Sequence, residues 1–318
     1  MSLLLRYRLP QHALRTVVLS EVSAEEATVV LRPYEGTALY FGAEQALTEE
    51  AFWSSFGNET AKEKHCVPSP VYQERIANAV ERIHGHQLNK VVLSRPHFLP
   101  NSEVSASQAF AALDQSYPQC TVFALHHPLW GSWMGATPEV LLEDHDGGYR
   151  SMSLAGTRLS GSQHWGDKER EEQKWVTKEI HRTLSQLGGK VKRGAQETLC
   201  AGPVEHLLTW VATDRVETPV LQVLEALHPT PAVCGTPPLQ AQEMIRELED
   251  YNRQLYTGYF AFLAPELHAV VLLRAMQWHK DGITFFAGGG ITKDSVPLSE
   301  WMETEHKIRA LRDVVLPA

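Results

Sequence analysis

The sequence lacks the features of several large classes of protein. It has no block of lysine and arginine, and its net charge of -9 argues against nucleic acid or an anionic membrane surface as a partner. No apolar run is long enough to span a membrane, and the segment MSLLLRYRLP is too short for the apolar part of a secretory signal. We therefore expect no nucleic-acid partner and no membrane association.

Cysteine is scarce as well. The four cysteines are widely scattered, at Cys66, Cys120, Cys200 and Cys234. They form no CxxC or Cys/His pattern, which argues against a zinc site, and no disulfide framework is indicated. Low-complexity linkers and repeats of 20–50 residues are also absent from the sequence. These absences are typical of a protein of the reducing cytoplasm.

What is present is an ordinary globular composition, with 43% hydrophobic and 21% charged residues. Periodicity predicts helices over about 70–86, 104–116, 167–187 and 239–254 and a last helix near the C-terminus. Strand-like runs interleave with them without a regular βαβ order, for example KVVLSR, CTVFAL, YTGYFAFLA and HAVVLLRAMQWH. This favours an α+β fold with mainly antiparallel sheet, in one domain over residues 1–318.

The stretch Ala287–Lys307 carries the first candidate site. Three glycines at 288–290 are predicted to end the strand ITFFA and to let a ligand approach the backbone. Spacings of three and four place Glu300, Glu303 and Lys307 on one face of the helix that follows. Such a face fits an anionic substrate and a hard metal ion. The alternative is a solvated helix face behind an ordinary glycine turn.

The helix at 167–187 repeats the acidic pattern. Its apolar stripe is formed by Val176, Ile180, Leu184 and Leu187, and Glu169 and Glu172 project onto the same stripe. Two ExxE pairs on two helices would make an oxygen-rich site suited to Mg²⁺. The alternative for Glu169 and Glu172 is that first-turn acids merely complement the helix dipole.

Three further charged residues adjoin apolar strands. Lys90 precedes VVLS; it either extends into solvent or, in a dry pocket, acts as a general base. Glu139 begins EVLL; it is either an edge carboxylate or the matching general acid. Arg274, inside VVLLRAM, needs an anion, and a protein carboxylate or a substrate carboxylate would serve equally.

Eight motifs in order resemble those of chorismate-utilising enzymes, the family of isochorismate, salicylate, anthranilate and aminodeoxychorismate synthases. The motifs are KVVLSR, GATPEVLL, LAGTR, EREEQ, HPTPAVCG, ELEDYNRQLYTG, VLLRA and FFAGGGITKDSVPLSEWMETEHK. The resemblance implies two large, mainly antiparallel sheets packed as a sandwich and flanked by helices. It covers a catalytic core over residues 68–318, with residues 1–67 as a shortened N-terminal scaffold part.

The resemblance also implies roles for individual residues. Glu172 and Glu303 would bind Mg²⁺ directly, with Glu169 and Glu300 assisting through water. Lys90 would be the base and Glu139 the acid. Chorismate would be held by a set of substrate-binding residues: Gly156, Thr157, Ala232, Tyr256, Arg274, Gly288, Gly290 and Lys307. One departure is Gln173, where the family often has histidine.

The branch of the family is predicted from two positions. Lys90 is typical of the water-using enzymes, whereas the ammonia-using anthranilate enzymes have glutamine there. Ala232 replaces a threonine shared by salicylate synthases. We therefore expect an isomerase, isochorismate synthase, acting as a monomer without a glutaminase subunit, in menaquinone or siderophore synthesis. Salicylate synthase is the main competing function.

Three further functions are less favoured by the sequence. Anthranilate or aminodeoxychorismate synthase would conflict with Lys90. A Mg²⁺-dependent hydrolase outside the family would need a phosphate loop or an aspartate nucleophile motif, and neither is visible in the sequence. A chorismate-binding protein without activity would be expected to have lost Lys90 or Glu139, and both are present.

Overall fold

The structure, a computed structural model, describes residues 1–61, 64–85, 88–100, 104–161, 164–201 and 204–316. The helices are α1 Glu49–Ser55, α2 Ser69–His84, α3 Ala106–Ser116, α4 Asp167–Gln186, α5 Val220–Leu227, α6 Pro238–Leu248 and α7 Pro297–Val315, with a short 3₁₀ helix at Ala24–Glu26. The strands are β1 Ser2–Arg8, β2 Arg15–Glu21, β3 Val29–Arg32, β4 Leu39–Ala46, β5 Lys90–Pro100, β6 Thr121–His127, β7 Gly131–Thr137, β8 Val140–His145, β9 Gly148–Leu159, β10 Lys192–Ala201, β11 Val204–Thr213, β12 Gly235–Thr236, β13 Tyr259–Phe262, β14 His268–Val271, β15 Ala275–Trp278 and β16 Gly282–Ile291.

The helices begin where the sequence supplies suitable first-turn residues. Proline lies in the first turn of α2, α6 and α7, where its missing N–H would have no helical partner. Helix α3 begins with a capping box in which Ser105 and Gln108 bond each other's backbone N–H. Within the described part of the chain, no helix is long and apolar enough to cross a membrane.

The strands form one continuous, antiparallel hydrogen-bonded order. That order is β10-β11-β9-β8-β14-β13-β3-β4-β2-β1-β6-β7-β15-β16-β5-β12. The sheet folds back on itself, because strands far apart in this order touch across the core. Tyr7 on β1 and Phe262 on β13 have ring centroids 4.5 Å apart, and those of Phe123 on β6 and Phe260 on β13 are 5.6 Å apart. The predicted α+β fold, with mainly antiparallel sheets packed face to face and flanking helices, is confirmed.

The N-terminal strands lie in the middle of this order rather than at its edge. Strand β1 pairs with β6, and β3 pairs with β13, so β1 to β4 join the two layers of sheet. Their apolar side chains, such as Leu5 and Val29, are buried in the shared core. The N-terminal part is therefore central to the scaffold.

The prediction that HAVVLLRAMQWH forms a single strand is wrong. The segment forms two strands, β14 and β15, which belong to opposite layers of the sheet. The chain crosses between the layers at a bend in which Arg274 has a φ of +46°, a left-handed conformation that few side-chain-bearing residues adopt. Arg274 therefore lies at a corner instead of within a strand, and this corner borders the cavity described below.

Two other boundaries differ from prediction. The glycines at 288–290 do not end a strand but continue β16, where they pair with Ser94, Leu93 and Val92 of β5. Helix α6 ends at Leu248 instead of about residue 254, because Glu249 adopts an extended backbone and its side chain turns inward. The Glu249 carboxylate forms buried hydrogen bonds with Ser94 and Arg253 at the place where the last helical turn was predicted.

Candidate active site

A cavity at the meeting point of β5, β9, β16, α4 and α7 gathers most of the predicted site residues. Those lining it are Glu139, Gly156, Thr157, Glu172, Ala232, Tyr256, Arg274, Gly288, Gly290, Glu303 and Lys307. Lys90 lies behind this wall, in contact with Glu172, whereas Glu169 and Glu300 are not part of the lining. Of the described residues before residue 68, none lines the cavity.

Lys90 is the first residue of β5 and is completely buried. Its Nζ lies 2.9 Å from Oε1 of Glu172. The possibility that Lys90 extends into solvent is therefore excluded. A buried ammonium group beside a carboxylate at the cavity wall is suited to move a proton at that wall.

Glu139 lies in the turn between β7 and β8 and is 2% exposed. Its Oε1 accepts a hydrogen bond from Thr230 Oγ1 at 3.4 Å, and its backbone oxygen accepts one from Val271 N. Burial raises the pKa of Glu139 to about 8, although the charge of Lys90 and the bond from Thr230 act in the opposite direction. The carboxyl group is therefore mainly protonated at neutral pH and can donate a proton.

The carboxylates of α4 and α7 converge over the glycines of β16. A Cβ built on Gly290 would lie 2.2 Å from Glu172 Oε1, and one built on Gly289 would lie 3.4 Å from Glu300 Oε2 and 3.7 Å from Glu303 Oε1. Since Gly290 lacks that atom, the Glu172 side chain of α4 approaches the strand closely, whereas the α7 carboxylates lie at ordinary contact distance from Gly289. The glycines thus make room for protein carboxylates as well as for a ligand.

Each of these three carboxylates has a lysine partner. Glu172 pairs with Lys90, and Lys307 donates to Glu303 Oε1 and to the backbone oxygen of Gly288, both at 2.8 Å. Lys168 on α4 pairs with Glu300 on α7. Burial opposes ionisation of Glu172, but nearby lysines, Lys90 first among them, hold its pKa below the ordinary value.

The donor set fits a hard cation in part. The carboxylate oxygens suit Mg²⁺ better than a softer metal. Oε2 of Glu300 is buried and makes no hydrogen bond of ordinary geometry within the described residues, although the neighbouring Ser295 hydroxyl favours the ionised carboxylate. Burial raises the pKa of Glu300, and the neighbouring Glu303 adds to this effect while Lys168 opposes it. In the described chain, no three His, Cys, Asp or Glu side chains are close enough together to form a complete metal site by themselves.

The Glu169 carboxylate lies at the start of its own helix. Its Oε2 is beside Gly166, at the N-terminus of its own helix, where a Cβ on that glycine would be 2.4 Å away. This is the arrangement expected of an acid that complements the helix dipole. Its predicted assistance to a metal stays a prediction.

The residue that sequence reasoning missed is His206 on β11. Its Nε2 lies 2.9 Å from Nη2 of Arg274, and its Nδ1 lies 3.2 Å from Thr157 Oγ1 and 3.3 Å from the backbone oxygen of Gly156. A guanidinium group can only donate, so Nε2 is the acceptor and Nδ1 carries the proton. Burial, reinforced by the charges of Arg274 and Lys307, holds the pKa of His206 far below its ordinary value. The available signal was a histidine inside the apolar strand VEHLLTW.

Arg274 and Tyr256 complete the far wall. Burial lowers the pKa of Arg274, but an arginine guanidinium group stays charged in a protein. The ring of Tyr256 is stacked on that of Phe286, with centroids 5.3 Å apart. Together with Lys307, Arg274 gives the cavity two cations that a dicarboxylate could use.

Comparison with known proteins relates the chain to one family of enzymes. The model of the chorismate binding enzyme family matches residues 35–316. Isochorismate synthase EntC of Escherichia coli K12 is 28% identical over 271 residues, which cover 79% of this chain and 69% of that protein. Isochorismate synthase 2 of Arabidopsis thaliana chloroplasts is 29% identical over 273 residues, covering 80% of this chain and 48% of that protein. This chain thus spans only part of the length of these relatives.

Solved structures show the same fold. The menaquinone-specific isochorismate synthase MenF of Escherichia coli superposes with a TM-score of 0.79 and 21% identity, over 98% of this chain and 88% of that one. Anthranilate synthase component I of Streptococcus pneumoniae gives a TM-score of 0.72 and 15% identity, over 98% and 91%. The predicted enzyme type, an isomerase resembling isochorismate synthases, is confirmed by the sequence relatives. The chain therefore belongs to the chorismate-binding enzyme family.

Proposed function

We propose that the protein is an isochorismate synthase, which isomerises chorismate by adding water at ring C2 and removing the hydroxyl group at C4. The observation that carries this proposal is a buried carboxyl group with a pKa of about 8, Glu139, in the cavity lining, together with a buried lysine, Lys90, that contacts the lining residue Glu172 from behind the wall. An isomerisation of this kind needs one base and one acid and no change of oxidation state.

Lys90 and Glu139 divide the proton transfers between them. Lys90 is paired with Glu172 and has to release its extra proton first; it then accepts a proton from the water whose oxygen forms the new bond to C2. The ring double bonds shift, the bond from C4 to its hydroxyl oxygen breaks, and Glu139 donates the proton with which that group leaves as water. The protonated state that burial imposes on Glu139 suits it to the second role.

The substrate is held by its two carboxylates. Arg274 and Tyr256 bind the enolpyruvyl carboxylate, and His206, which also lines the cavity, orients the guanidinium group. Lys307, Thr157 and the backbone at Gly156, Gly288 and Gly290 bind the rest of the substrate. Two cations in a largely buried cavity support a dianionic ligand.

We further propose Mg²⁺ as the cofactor. Glu172 and Glu303 would hold it directly, and Glu300, with Glu169, would assist through water. When bound, the metal would neutralise the ring carboxylate of the substrate and fix its orientation. The buried Oε2 of Glu300, which makes no hydrogen bond of ordinary geometry within the described residues, supports this assignment.

Metal removal tests the cofactor. Treatment with a chelator is expected to abolish turnover of chorismate, and added Mg²⁺ is expected to restore it. Glu172 and Glu303 are themselves carboxylates, so without the metal the ring carboxylate of the substrate has no positive charge to pair with at this position. The measurement is isochorismate formation followed by chromatography, with Glu303→Gln as the variant that Mg²⁺ should restore least. Full turnover after exhaustive chelation would contradict the metal assignment.

Substitution of the base tests the mechanism. Lys90→Ala is expected to abolish isochorismate formation, because alanine has no group that could act as the base. Thermal unfolding of the variant is expected to stay cooperative. Lys293→Ala is the matched control, because Lys293 is exposed and lines no part of the cavity. A Lys90→Ala variant with wild-type kcat would sink the proposed mechanism.

Salicylate synthase is the second candidate function. Ala232 lines the cavity at the position where salicylate synthases carry threonine, and this favours release of isochorismate. Incubation with chorismate and Mg²⁺, with products separated by chromatography, distinguishes the two. Salicylate and pyruvate as the main products would contradict the proposal.

The setting of the enzyme is proposed on the same basis. The water-using chemistry of Lys90 requires no glutaminase subunit, and we propose a cytoplasmic monomer that supplies a menaquinone or siderophore route. Size-exclusion chromatography with light scattering tests the monomer.

A further inference from the structure

A buried ion pair directly behind the cavity, Glu249 with Arg253, has no part in the chemistry proposed above. The two side chains are 2% and 1% exposed, and Nη2 of Arg253 lies 2.6 Å from Oε1 of Glu249. Both follow helix α6, where Glu249 replaces the expected last helical turn. Charges this deeply buried need many partners to offset the loss of water.

The partners of Arg253 are parts of the cavity wall. Nη2 donates to the backbone oxygen of Val92 at 2.7 Å, and Nη1 donates to the backbone oxygen of Val233 at 2.9 Å and to Thr257 Oγ1 at 3.4 Å. Val92, Val233 and Thr257 come from three separate segments, and all three line the cavity. One rigid, planar guanidinium group therefore joins three walls.

Glu249 extends the same network to a second point on β5. Its Oε1 accepts from the backbone N–H of Ser94 at 2.7 Å and from Ser94 Oγ at 2.9 Å. Together the pair holds β5 on both sides of Leu93. Strand β5 begins at Lys90, so its position determines where the proposed base lies.

The three walls carry residues with assigned roles. Val92 is two residues after Lys90, Val233 follows Ala232, and Thr257 follows Tyr256. Thr257 also has a φ of +62°, a conformation that a β-branched side chain adopts only when its surroundings enforce it. The bond from Arg253 is one of those enforcing contacts.

We infer that Arg253, held by Glu249, is a positioning residue that fixes the base strand, the segment of Ala232 and the corner of Tyr256 relative to one another. This inference rests on the proposed function. It differs from a purely structural role, in which the pair would only stabilise the fold and its removal would leave the chemistry of the folded protein unchanged.

The test separates these two roles with a double variant. Arg253→Met leaves Glu249 buried without its partner and is expected to destabilise the protein. Adding Glu249→Gln removes the second charge, so the double variant is expected to regain much of the lost melting temperature. If Arg253 positions the walls, the double variant should have a kcat for chorismate about 100-fold below that of wild type, even at a temperature where circular dichroism shows that it is fully folded. A displacement of the reacting groups by about 1 Å can cost that much.

The matched control is Arg8→Met with Asp114→Asn. Arg8 also pairs with a carboxylate and donates to backbone oxygens, including that of Tyr117, but neither partner lines the cavity. This double variant is expected to keep wild-type kcat and KM once folded. A wild-type kcat in the Glu249→Gln/Arg253→Met variant, or an equal loss in the control, would overturn the inference.

Arg253→Lys provides the answer if the double variant does not fold. It keeps the charge opposite Glu249, but an ammonium group cannot reproduce the planar fork that reaches both Val92 and Val233. A low kcat with near-normal folding supports positioning, and a wild-type kcat overturns it. Absence of chorismate turnover in the wild-type protein would instead contradict the proposed function itself.

Discussion

At the scale of single residues, the proton that suits Glu139 to its proposed role as an acid comes with a cost in stability. Its carboxyl group is neutral in the folded protein below about pH 8, whereas in the unfolded chain it ionises near its ordinary pKa of 4.5. The stabilisation from this raised pKa is fully present below pH 4.5 and is lost as the pH rises towards 8. The folded state is therefore penalised at neutral pH for keeping a proton donor.

Glu139→Gln should remove that penalty. The variant is expected to be stabilised by about 3 kcal/mol relative to wild type at pH 7, and by far less at pH 4.5, because glutamine does not ionise. Chemical denaturation at both pH values measures the difference. Turnover of chorismate should be lost in the same variant.

The exposed Glu243→Gln serves as the control and should show no such pH-dependent gain. An equal gain in stability at both pH values for Glu139→Gln would contradict the raised pKa.

Candidate site residues could be proposed from the sequence where a charged side chain lies in a distinctive motif. The sequence singled out Glu172, Glu303 and Arg274, which line one cavity, and Lys90, which contacts Glu172; their roles stay predictions. The link between Arg274 and His206 could not be predicted, because it depends on a corner that brings a residue after β14 to a residue of β11. Local periodicity does not contain that tertiary information.

At the scale of elements, strand β16 and helices α4 and α7 form one unit. The glycines of β16 were predicted to form a turn, because glycine usually weakens a strand. They remain in the strand because they pair with β5, and Glu172 takes up the space that a side chain at Gly290 would need. The sequence pattern correctly indicated a close approach to the backbone, but it could not tell which groups approach.

A pair of alanine substitutions tests this unit. Gly290→Ala would place a Cβ 2.2 Å from Glu172 Oε1 and 2.9 Å from Lys90 Cε, so both side chains must move. The ends of flexible side chains can move without unfolding the protein. We expect kcat/KM to fall by about 100-fold with little change in melting temperature.

Gly289→Ala is the matched control on the neighbouring residue. Its nearest atom would be Glu300 Oε2 at 3.4 Å, which is an ordinary contact. Turnover near that of wild type is expected. Equal losses in the two variants would mean that the clash with Glu172 is not the cause.

At the scale of the whole molecule, the core joins strands that are distant in sheet order. Phe123 and Phe260 are buried and meet edge to face across it. The sequence predicted the α+β class from the alternation of its segments. The order of the strands could not be predicted from the sequence. Pairings such as β3 with β13 join distant parts of the chain, and many alternative registers would bury similar side chains.

Phe123→Ala should destabilise the protein by about 3–5 kcal/mol, since it leaves a void in this core. A double-mutant cycle with Phe260→Ala should show a coupling of about 0.5–1.5 kcal/mol from the ring pair. Leu239→Ala, at an exposed position, should change stability by less than about 0.5 kcal/mol. Additive losses for Phe123→Ala and Phe260→Ala would exclude direct packing between the layers.

The pairing of β5 with β16 has a consequence for how the chain folds. Val91 pairs with Ile291, so strand β5 has to wait for a partner that is synthesised much later. Such high contact order slows folding, and an unpaired strand edge invites aggregation during the delay. Lys90, Glu172 and the carboxylates of α7 meet only when that last pairing closes. A nascent chain therefore carries Lys90 on an open edge, and the proposed site is assembled in a single late step.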